Sequence, residues 1–253
     1  MLRMKEFFNE ADQRSLVVDT SAGMVLGALP GLEDFEAALR PILPQIDGLV
    51  CAPGQLRRLE GRSRQEAGLL MRMDWNNSLR GKDFVLPPEQ AFTFPLFSAQ
   101  EALDFGATGM VVSFLLGYEE EIEAACMKTT VTLALEGKAN GIPLVVEVCP
   151  TGPRVSLPGK AVELGASYAL EGGADVIAIP YPGPESLNTV CQFVSIPWLL
   201  KPTGFATAGQ ELEEALGLGC AGAWLDYRLF SQPEPFKELQ NLSEQIHENG
   251  DGR

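Results

Sequence analysis

Eight short apolar runs, each followed by a segment with helical periodicity, constrain the fold of this chain more than any other feature. Uninterrupted apolar runs of four to seven residues are typical of parallel strands that are buried on both faces. Eight such strands alternating with helices within 253 residues predict an α/β protein, a (β/α)8 or TIM barrel. The runs are SLVVD at 15–19, DGLVC at 47–51, GLLMRMD at 68–74, GMVVSF at 109–114, PLVVEV at 143–148, DVIAIP at 175–180, PWLLK at 197–201 and GAWLD at 222–226.

The sequence around these runs indicates one domain over residues 1–253. We expect a short extra helix within residues 1–12 and a frayed tail over residues 248–253. A doubly wound open sheet is the main alternative fold. Its first strand usually leads into a G-x-G-x-x-G phosphate loop, whereas the first strand here leads into VVDTSAGMVLG. The barrel is therefore the favoured architecture.

The formal net charge of −15 limits the partners of the chain. Binding to nucleic acid or to an anionic membrane surface depends on clustered Lys and Arg, which this composition disfavours. A small anionic substrate remains compatible where a few cations converge. No ligand spacing supports zinc, and we predict neither a metal nor a cofactor.

Cysteine usage and the terminal sequences predict a soluble, cytoplasmic protein. Five cysteines without CxxC spacing indicate reduced thiols. The amino-terminal sequence lacks the apolar core of a signal peptide, and no apolar run approaches ~20 residues. The one histidine, His247, lies in an acidic segment where we expect a solvated helix end. Nucleophile systems of the Ser-His-Asp or Cys-His type therefore lack their base.

The carboxyl ends of the strands are where a barrel places its reactive groups. Reading these ends in order predicts a polar ring above an apolar barrel. Its members are Asp19, Cys51, Arg72, Asp74, Trp75, Ser113, Glu147, Cys149, Tyr181, Lys201, Asp226 and Arg228.

Lys201 is the one lysine, of seven, that falls at a predicted strand end. A partly desolvated lysine can lose its proton and attack a carbonyl to form a Schiff base. Glu147 or Asp19 nearby would oppose that loss by stabilising the ammonium form. The alternative is a structural ion pair inside the mouth.

Three further residues are candidates for proton transfer. Asp19 closes the first strand and precedes a Thr-Ser-Ala-Gly loop, so it is either a general acid or base or the acceptor of an Asx-type turn. Glu147 and Cys149 face the barrel interior on the period of two. A glutamate in an apolar strand is costly unless paired, and Arg72 or Lys201 would pair it.

The remaining candidates would bind substrate, and Arg72 at the end of the third strand is one of them. Arg228 follows the eighth strand, and Thr203 with Gly204 follows the seventh, where barrels commonly hold phosphate. A plain salt bridge at the rim is the alternative for Arg228. Trp75 is expected to pack on substrate from its loop, and Tyr181 closes the sixth strand.

Several segments resemble one family in both order and spacing. They are VVDTSAGMVLG, IDGLVCAPGQLRRL, LLMRMDWNNSL, the long unit from VVSFLLGYEEEIEAACMK to VVEV, and Arg228-Leu229-Phe230 after the eighth strand. From about residue 15 to about residue 237 the chain resembles the class I aldolase superfamily, which contains deoxyribose-phosphate aldolase and archaeal-type fructose-bisphosphate aldolase. The resemblance implies a barrel that cleaves or forms carbon–carbon bonds and often assembles into homo-oligomers.

Two departures from that family bear on mechanism. The resemblance implies a Schiff-base lysine in the sixth strand, but ADVIAIPYPG carries Ala178 at that place. It also implies a proton-transferring tyrosine before a proline in the fifth strand, where this chain has Cys149. The segment LLKPTGFATAGQELEEA is similar to the sequence around a second active-site lysine of deoxyribose-phosphate aldolases, at the end of the seventh strand. By this resemblance Lys201 corresponds to an active-site lysine.

The leading hypothesis is an aldolase-like carbon–carbon lyase, or a related carbonyl enzyme, acting on a small phosphorylated sugar or keto compound. Lys201 would serve as a relocated Schiff-base amine or as a cation that polarises the carbonyl, with Asp19, Glu147 and Cys149 handling protons. The alternative is an inactive homologue that binds a small anionic ligand or a protein partner. An isomerase that needs no imine, using acid–base chemistry or Mg²⁺, is a third possibility.

Overall fold

Eight parallel strands close a barrel, which confirms the predicted (β/α)8 fold. The computed structural model describes residues 3–59 and 67–248. The barrel order is β1, β2, β3, β6, β7, β8, β9 and β10, with β10 paired back to β1, while β4 and β5 form an antiparallel hairpin. The strands are β1 Ser15–Asp19, β2 Gly48–Cys51, β3 Gly68–Arg72, β4 Asp74–Asn76, β5 Thr93–Pro95, β6 Gly109–Leu115, β7 Leu144–Cys149, β8 Val176–Pro180, β9 Trp198–Lys201 and β10 Gly222–Asp226.

Helices cover the outside of the barrel, and their ends follow ordinary capping chemistry. Ser98 and Glu101 form a capping box at the start of the fourth helix, and Gly141 ends the fifth in a left-handed conformation. Within the described residues no helix is both long and apolar enough to cross a bilayer. The helices are α1 Gly23–Leu26, α2 Phe35–Leu39, α3 Pro53–Arg58, α4 Ala99–Asp104, α5 Glu120–Asn140, α6 Pro158–Glu171, α7 Pro184–Phe193, α8 Phe205–Gly217 and α9 Pro235–Glu248.

The expected extra helix at the amino terminus is a single short 3-10 turn, Met4–Glu6. It ends early because the following residues, Phe7 and Phe8, are buried in the base of the barrel. Phe7 packs so tightly there that a Cβ on Gly68 would lie 2.4 Å from Glu6 O and 2.6 Å from Phe7 Cβ. Only glycine fits at the start of β3, and the two phenylalanines close the barrel floor. The frayed tail expected over residues 248–253 falls almost wholly outside the described residues.

The side chains inside the barrel change from apolar to polar along each strand. The lower layers hold Phe7, Val17, Val50, Leu70, Val111, Val145, Val176, Ala178, Leu199 and Trp224, which pack together. Two residues further along, at the carboxyl ends, the inward positions carry Asp19, Arg72, Ser113, Glu147 and Lys201. The period of two along a strand therefore places the polar ring directly above an apolar floor.

The expected solvated position of His247 is wrong. Helix α9 folds back against the start of β1, where Arg14 Nη1 donates to Ile246 O at 2.5 Å. The His247 side chain is only 22% exposed, with Nδ1 2.7 Å from Asp12 Oδ2 and Nε2 3.3 Å from Asp47 Oδ2. The hydrogen bond to Asp47 has the largest effect and raises the pKa of His247. Burial lowers this pKa, but the hydrogen bond to Asp12 raises it again, and the result is a shift from 6.5 to about 8.

The raised pKa of His247 predicts a pH-dependent contribution to stability. That contribution is complete below pH 6.5 and is lost as the pH rises through about 8. In urea unfolding, wild type should lose on the order of 1 kcal/mol more than His247→Gln between about pH 6 and about pH 9. Equal losses in the two proteins would show that the imidazolium does not stabilise this contact.

Candidate active site

The polar ring surrounds a small pocket at the carboxyl ends of the barrel strands. The pocket has a volume of about 100 Å³ and opens between the loops that follow the strands. The four candidates for chemistry, Asp19, Glu147, Cys149 and Lys201, all line it, and so does Arg72, a candidate for substrate binding. Further lining residues are Ser21, Ala22, Met24, Val25, Asp74, Asn76, Ser78, Leu79, Ser113, Asp226 and Tyr227.

Four charged side chains form a continuous series of ion pairs across this pocket. Arg72, at the end of β3, places Nη2 2.6 Å from Asp19 Oδ2 and 2.7 Å from Glu147 Oε2. The other carboxylate oxygen of Glu147 accepts a hydrogen bond from Lys201 Nζ. Glu147 therefore pairs with both of the cations that the sequence suggested for it. Charges alternate along the series, so each buried charge has an opposite neighbour.

The ion pairs determine which groups carry protons. Burial would raise the pKa of Glu147, but Lys201 and Arg72 outweigh it and lower that pKa from 4.5 to about 2. Burial would lower the pKa of Lys201, but Glu147 outweighs it and holds the pKa above its ordinary value. Lys201 is therefore an ammonium ion at neutral pH, and Glu147 is a carboxylate.

Asp19 behaves differently from Glu147. Burial raises the pKa of Asp19, and the charge of Arg72 offsets only part of that rise. Asp19 Oδ1 also accepts from the backbone N–H of Ser21 at 2.8 Å and from its hydroxyl at 2.6 Å. Asp19 thus makes the expected Asx-type turn and also faces the pocket, and among the paired carboxyls it is the one suited to exchange a proton.

A second polar group lies behind Arg72, and it joins two members of the predicted polar ring, Asp74 and Ser113, to Asn76, which the sequence did not indicate. Arg72 Nη1 and Asn76 Nδ2 donate to Ser113 Oγ at 3.0 and 3.1 Å, and Asn76 also bonds Asp74 at 3.1 Å. Asp74 in turn accepts from the Ser113 backbone N–H at 3.1 Å. Inward alternation along β6 points to Ser113, but the hairpin that places Asn76 leaves no comparable signal in the sequence.

Cys149 lies at the edge of the pocket as a neutral thiol. Its Sγ is 3.6 Å from the backbone oxygen of Glu147. Burial, and then the charge of Glu147, raise the pKa of Cys149 above its ordinary value. The thiolate form is therefore disfavoured, even though Lys201 lies nearby.

Ala178 lies one strand away from Glu147 at the same level of the sheet. Strand pairing aligns Glu147 with Ala178, and Ala178 with Leu199. Ala178 is fully buried in the apolar layer below the pocket. Lys201, two residues beyond Leu199 on β9, reaches the carboxylate of Glu147 from nearer the mouth.

The other predicted substrate-binding residues are engaged in contacts of their own. Tyr181 donates its hydroxyl to Glu214 at 2.6 Å, and Trp75 Nε1 donates to Met24 O at 3.1 Å. Thr203 donates to Glu211 through its backbone N–H, at 2.8 Å, and through its hydroxyl, at 2.5 Å. Of these three residues, Thr203 lines the cavity beside the start of α8, whereas Trp75 and Tyr181 line neither that cavity nor the central pocket.

A second cavity of about 410 Å³ adjoins the pocket beside the start of α8. Thr203, Gly204 and Arg228 line it, and it shares Lys201 with the central pocket. The Arg228 guanidinium holds Asp226 through Nε at 2.9 Å and Nη2 at 2.5 Å. A rim salt bridge was the alternative to phosphate binding for Arg228, and the structure shows such a pair. Both residues also line the cavity.

A third cavity, of about 790 Å³, opens at the opposite end of the barrel around Phe7 and Phe8. It lies beneath the barrel floor, away from the ends of the strands where barrels carry out chemistry. Over residues 3–59 and 67–248, no group of three or more His, Cys, Asp or Glu side chains is placed to hold a metal ion.

Comparison with known proteins confirms the resemblance to aldolases. An uncharacterized aldolase of Saccharolobus solfataricus is 27% identical to this chain. The match covers 99% of this chain and 95% of the aldolase. The 2-amino-3,7-dideoxy-D-threo-hept-6-ulosonate synthase of Halobacterium salinarum is 26% identical to this chain, and the match covers 95% of this chain and 89% of the synthase. No family model matches the chain.

The barrel itself is also similar to that of a solved aldolase. The structure of a Schiff-base-forming fructose-1,6-bisphosphate aldolase superposes with a TM-score of 0.76 over 97% of this chain and 99% of its own. The two sequences are 19% identical, so this likeness shows the fold.

Removing the carboxylate of Glu147 should destabilise the protein strongly. Glu147→Ala leaves Lys201 without its partner and removes one from Arg72, so urea denaturation at neutral pH should show a loss of about 3–5 kcal/mol. Glu147→Gln keeps a hydrogen-bond acceptor and should lose less. In wild type this contribution should disappear as the pH falls from 4.5 towards about 2, because the folded pKa is depressed. A loss below about 1 kcal/mol in Glu147→Ala would contradict a central role for this carboxylate.

Proposed function

We propose that this protein is an aldolase-like carbon–carbon lyase, or a related carbonyl enzyme, that acts on a small phosphorylated sugar or keto compound. The observation that carries the proposal is Lys201, an ammonium held by Glu147 at the wall of a pocket that also contains Asp19 and Arg72. The similarity of almost the whole chain to aldolases supports the same reaction class.

Lys201 would polarise the substrate carbonyl as a cation. Its proton is stabilised by Glu147, so the amine is rarely free to attack a carbonyl carbon. An ammonium donor next to a carbonyl oxygen stabilises the enolate oxygen that forms when the neighbouring carbon–carbon bond breaks. The Schiff-base route needs Lys201 to lose its proton first, and Glu147 is a poor acceptor because its pKa is about 2.

Asp19 would exchange the proton at the carbon next to the carbonyl. Its raised pKa keeps a protonated form accessible, and Arg72 fixes the position of its carboxyl. Glu147 would hold Lys201 in place and stay ionised. Cys149 would contribute a neutral thiol at the edge of the pocket.

Replacing Lys201 tests this role. Lys201→Met should lower exchange of the α-protons of dihydroxyacetone phosphate with D2O, followed by proton NMR, by at least about 10²-fold. Lys201→Arg keeps a cation that cannot form an imine and should retain more of that exchange. Thermal unfolding of each variant checks that the fold is intact.

Borohydride separates the two routes open to Lys201. With a carbonyl compound present, the cation route predicts no covalent adduct on Lys201 by peptide mapping. An adduct at Lys201, together with loss of all exchange in Lys201→Arg, would establish the imine route instead. Exchange that persists in Lys201→Met would exclude both routes.

A second candidate function is an inactive homologue that binds a small anionic ligand or a protein partner. Ala178 favours it, because the residue at the position of the Schiff-base lysine is buried in the apolar layer and offers no amine. Sugar phosphates would then raise the melting temperature of both wild type and Lys201→Met, without turnover in either.

Several finer properties accompany the leading proposal. We propose that a phosphate group binds in the cavity beside Gly204 and Arg228, where the start of α8 lacks a side-chain cap. We also propose that the chain acts as one domain in a cytoplasmic homo-oligomer. Free thiols at all five cysteines, each within the described residues, support a reducing compartment.

A further inference from the structure

Tyr227 stands where the central pocket and the cavity beside α8 meet. It is the first residue of a short 3-10 helix, Tyr227–Ser231, that begins directly after β10. Tyr227 lines both spaces, as do Lys201 and Asp226. A substrate that reaches from Lys201 towards the cavity therefore passes Tyr227.

The phenol of Tyr227 is an unused hydrogen-bond donor. Of the four tyrosines in the chain, Tyr118 pairs its hydroxyl with Thr151 at 3.0 Å, and Tyr181 donates to Glu214. Over the described ranges 3–59 and 67–248, the hydroxyl of Tyr227 has no such partner. Burial, and then the charge of Asp226, raise the pKa of Tyr227, so the phenol keeps its proton through neutral pH.

Most other donors at the pocket are already occupied by protein acceptors. Lys201 donates to Glu147, and Arg72 is shared among carboxylates and serine oxygens. Ser21 donates to Asp19, while Ser113 lies deeper and accepts from Arg72 and Asn76. A half-buried phenol free to rotate towards a ligand is different from all of these groups.

An aldol reaction needs a second proton donor besides Lys201. Lys201 serves the carbonyl oxygen of the nucleophilic component. The aldehyde oxygen of the other component becomes an alkoxide when the new carbon–carbon bond forms, and it requires a proton. The tyrosine that the family resemblance implies in the fifth strand is absent, because Cys149 occupies its place with a thiol of raised pKa.

We propose, on the basis of the function above, that Tyr227 binds this second oxygen and supplies its proton. The enolate carbon attacks the aldehyde carbon, and the π electrons of the aldehyde move onto its oxygen. That oxygen takes the phenolic proton of Tyr227 as the carbon–carbon bond forms. Water at the open mouth returns a proton to the tyrosinate, and cleavage runs through the same steps in reverse.

Tyr227→Phe tests the assignment, because it removes only the hydroxyl. The matched control is Tyr168→Phe on α6, whose ring packs against Phe114 outside the pocket. Two reactions are followed by NMR. One is α-proton exchange of dihydroxyacetone phosphate in D2O, which needs Lys201 but no second oxygen. The other is addition of dihydroxyacetone phosphate to glycolaldehyde, glyceraldehyde or glyceraldehyde 3-phosphate.

The assignment predicts a split between the two reactions. Tyr227→Phe should keep the exchange within about twofold of wild type and lower the kcat of addition by about 10²-fold or more. Tyr168→Phe should match wild type in both, and the melting temperatures of all three proteins should agree. Addition by Tyr227→Phe at the wild-type rate, with exchange intact, would overturn the role of Tyr227 and leave the aldolase proposal standing. Absence of exchange in wild type would overturn the aldolase proposal and this role with it.

Discussion

The carboxylate of Glu147 is the interaction on which the mouth of this barrel depends. It is buried, and among the described residues it is the one group that forms ion pairs with both Arg72 and Lys201. Without it, two cations would face each other over an apolar layer, where the repulsion between like charges is poorly screened. With it, Lys201 keeps its proton, and in the proposed reaction the exchange of a proton is left to Asp19, whose pKa burial raises.

Most of the fold follows from local sequence patterns. All eight barrel strands lie where uninterrupted apolar runs predict them, because a strand buried on both faces has no solvent-facing positions to interrupt the run. The β4–β5 hairpin is different. Asp74–Asn76 is polar and short, and its pairing depends on Thr93–Pro95, which a local pattern does not identify. Likewise, the local sequence predicts a helix at the amino terminus, but Phe7 and Phe8 are buried at the base of the barrel, so the helix is a single turn.

The site was predictable to the extent that the strand ends determine it. Asp19, Arg72, Glu147 and Lys201 converge because inward alternation and parallel strand order bring their side chains to one edge. Loop and helix residues were less predictable. Tyr181 and Thr203 turn to acceptors on α8, Glu214 and Glu211, and a choice between a protein acceptor and a ligand depends on tertiary distances. His247 illustrates the same limit, since its partners Asp12 and Asp47 come from distant segments.

The apolar floor built on Phe7 and Phe8 has an electrical consequence for the mouth above it. The barrel interior below the ion pairs is packed with hydrocarbon and has low polarisability, whereas the space above them opens to water. Field lines from the charges at the mouth are therefore directed outward, because the low-dielectric walls and floor confine them. The apolar floor therefore concentrates the combined potential of the charged side chains at the mouth on whatever molecule enters the pocket.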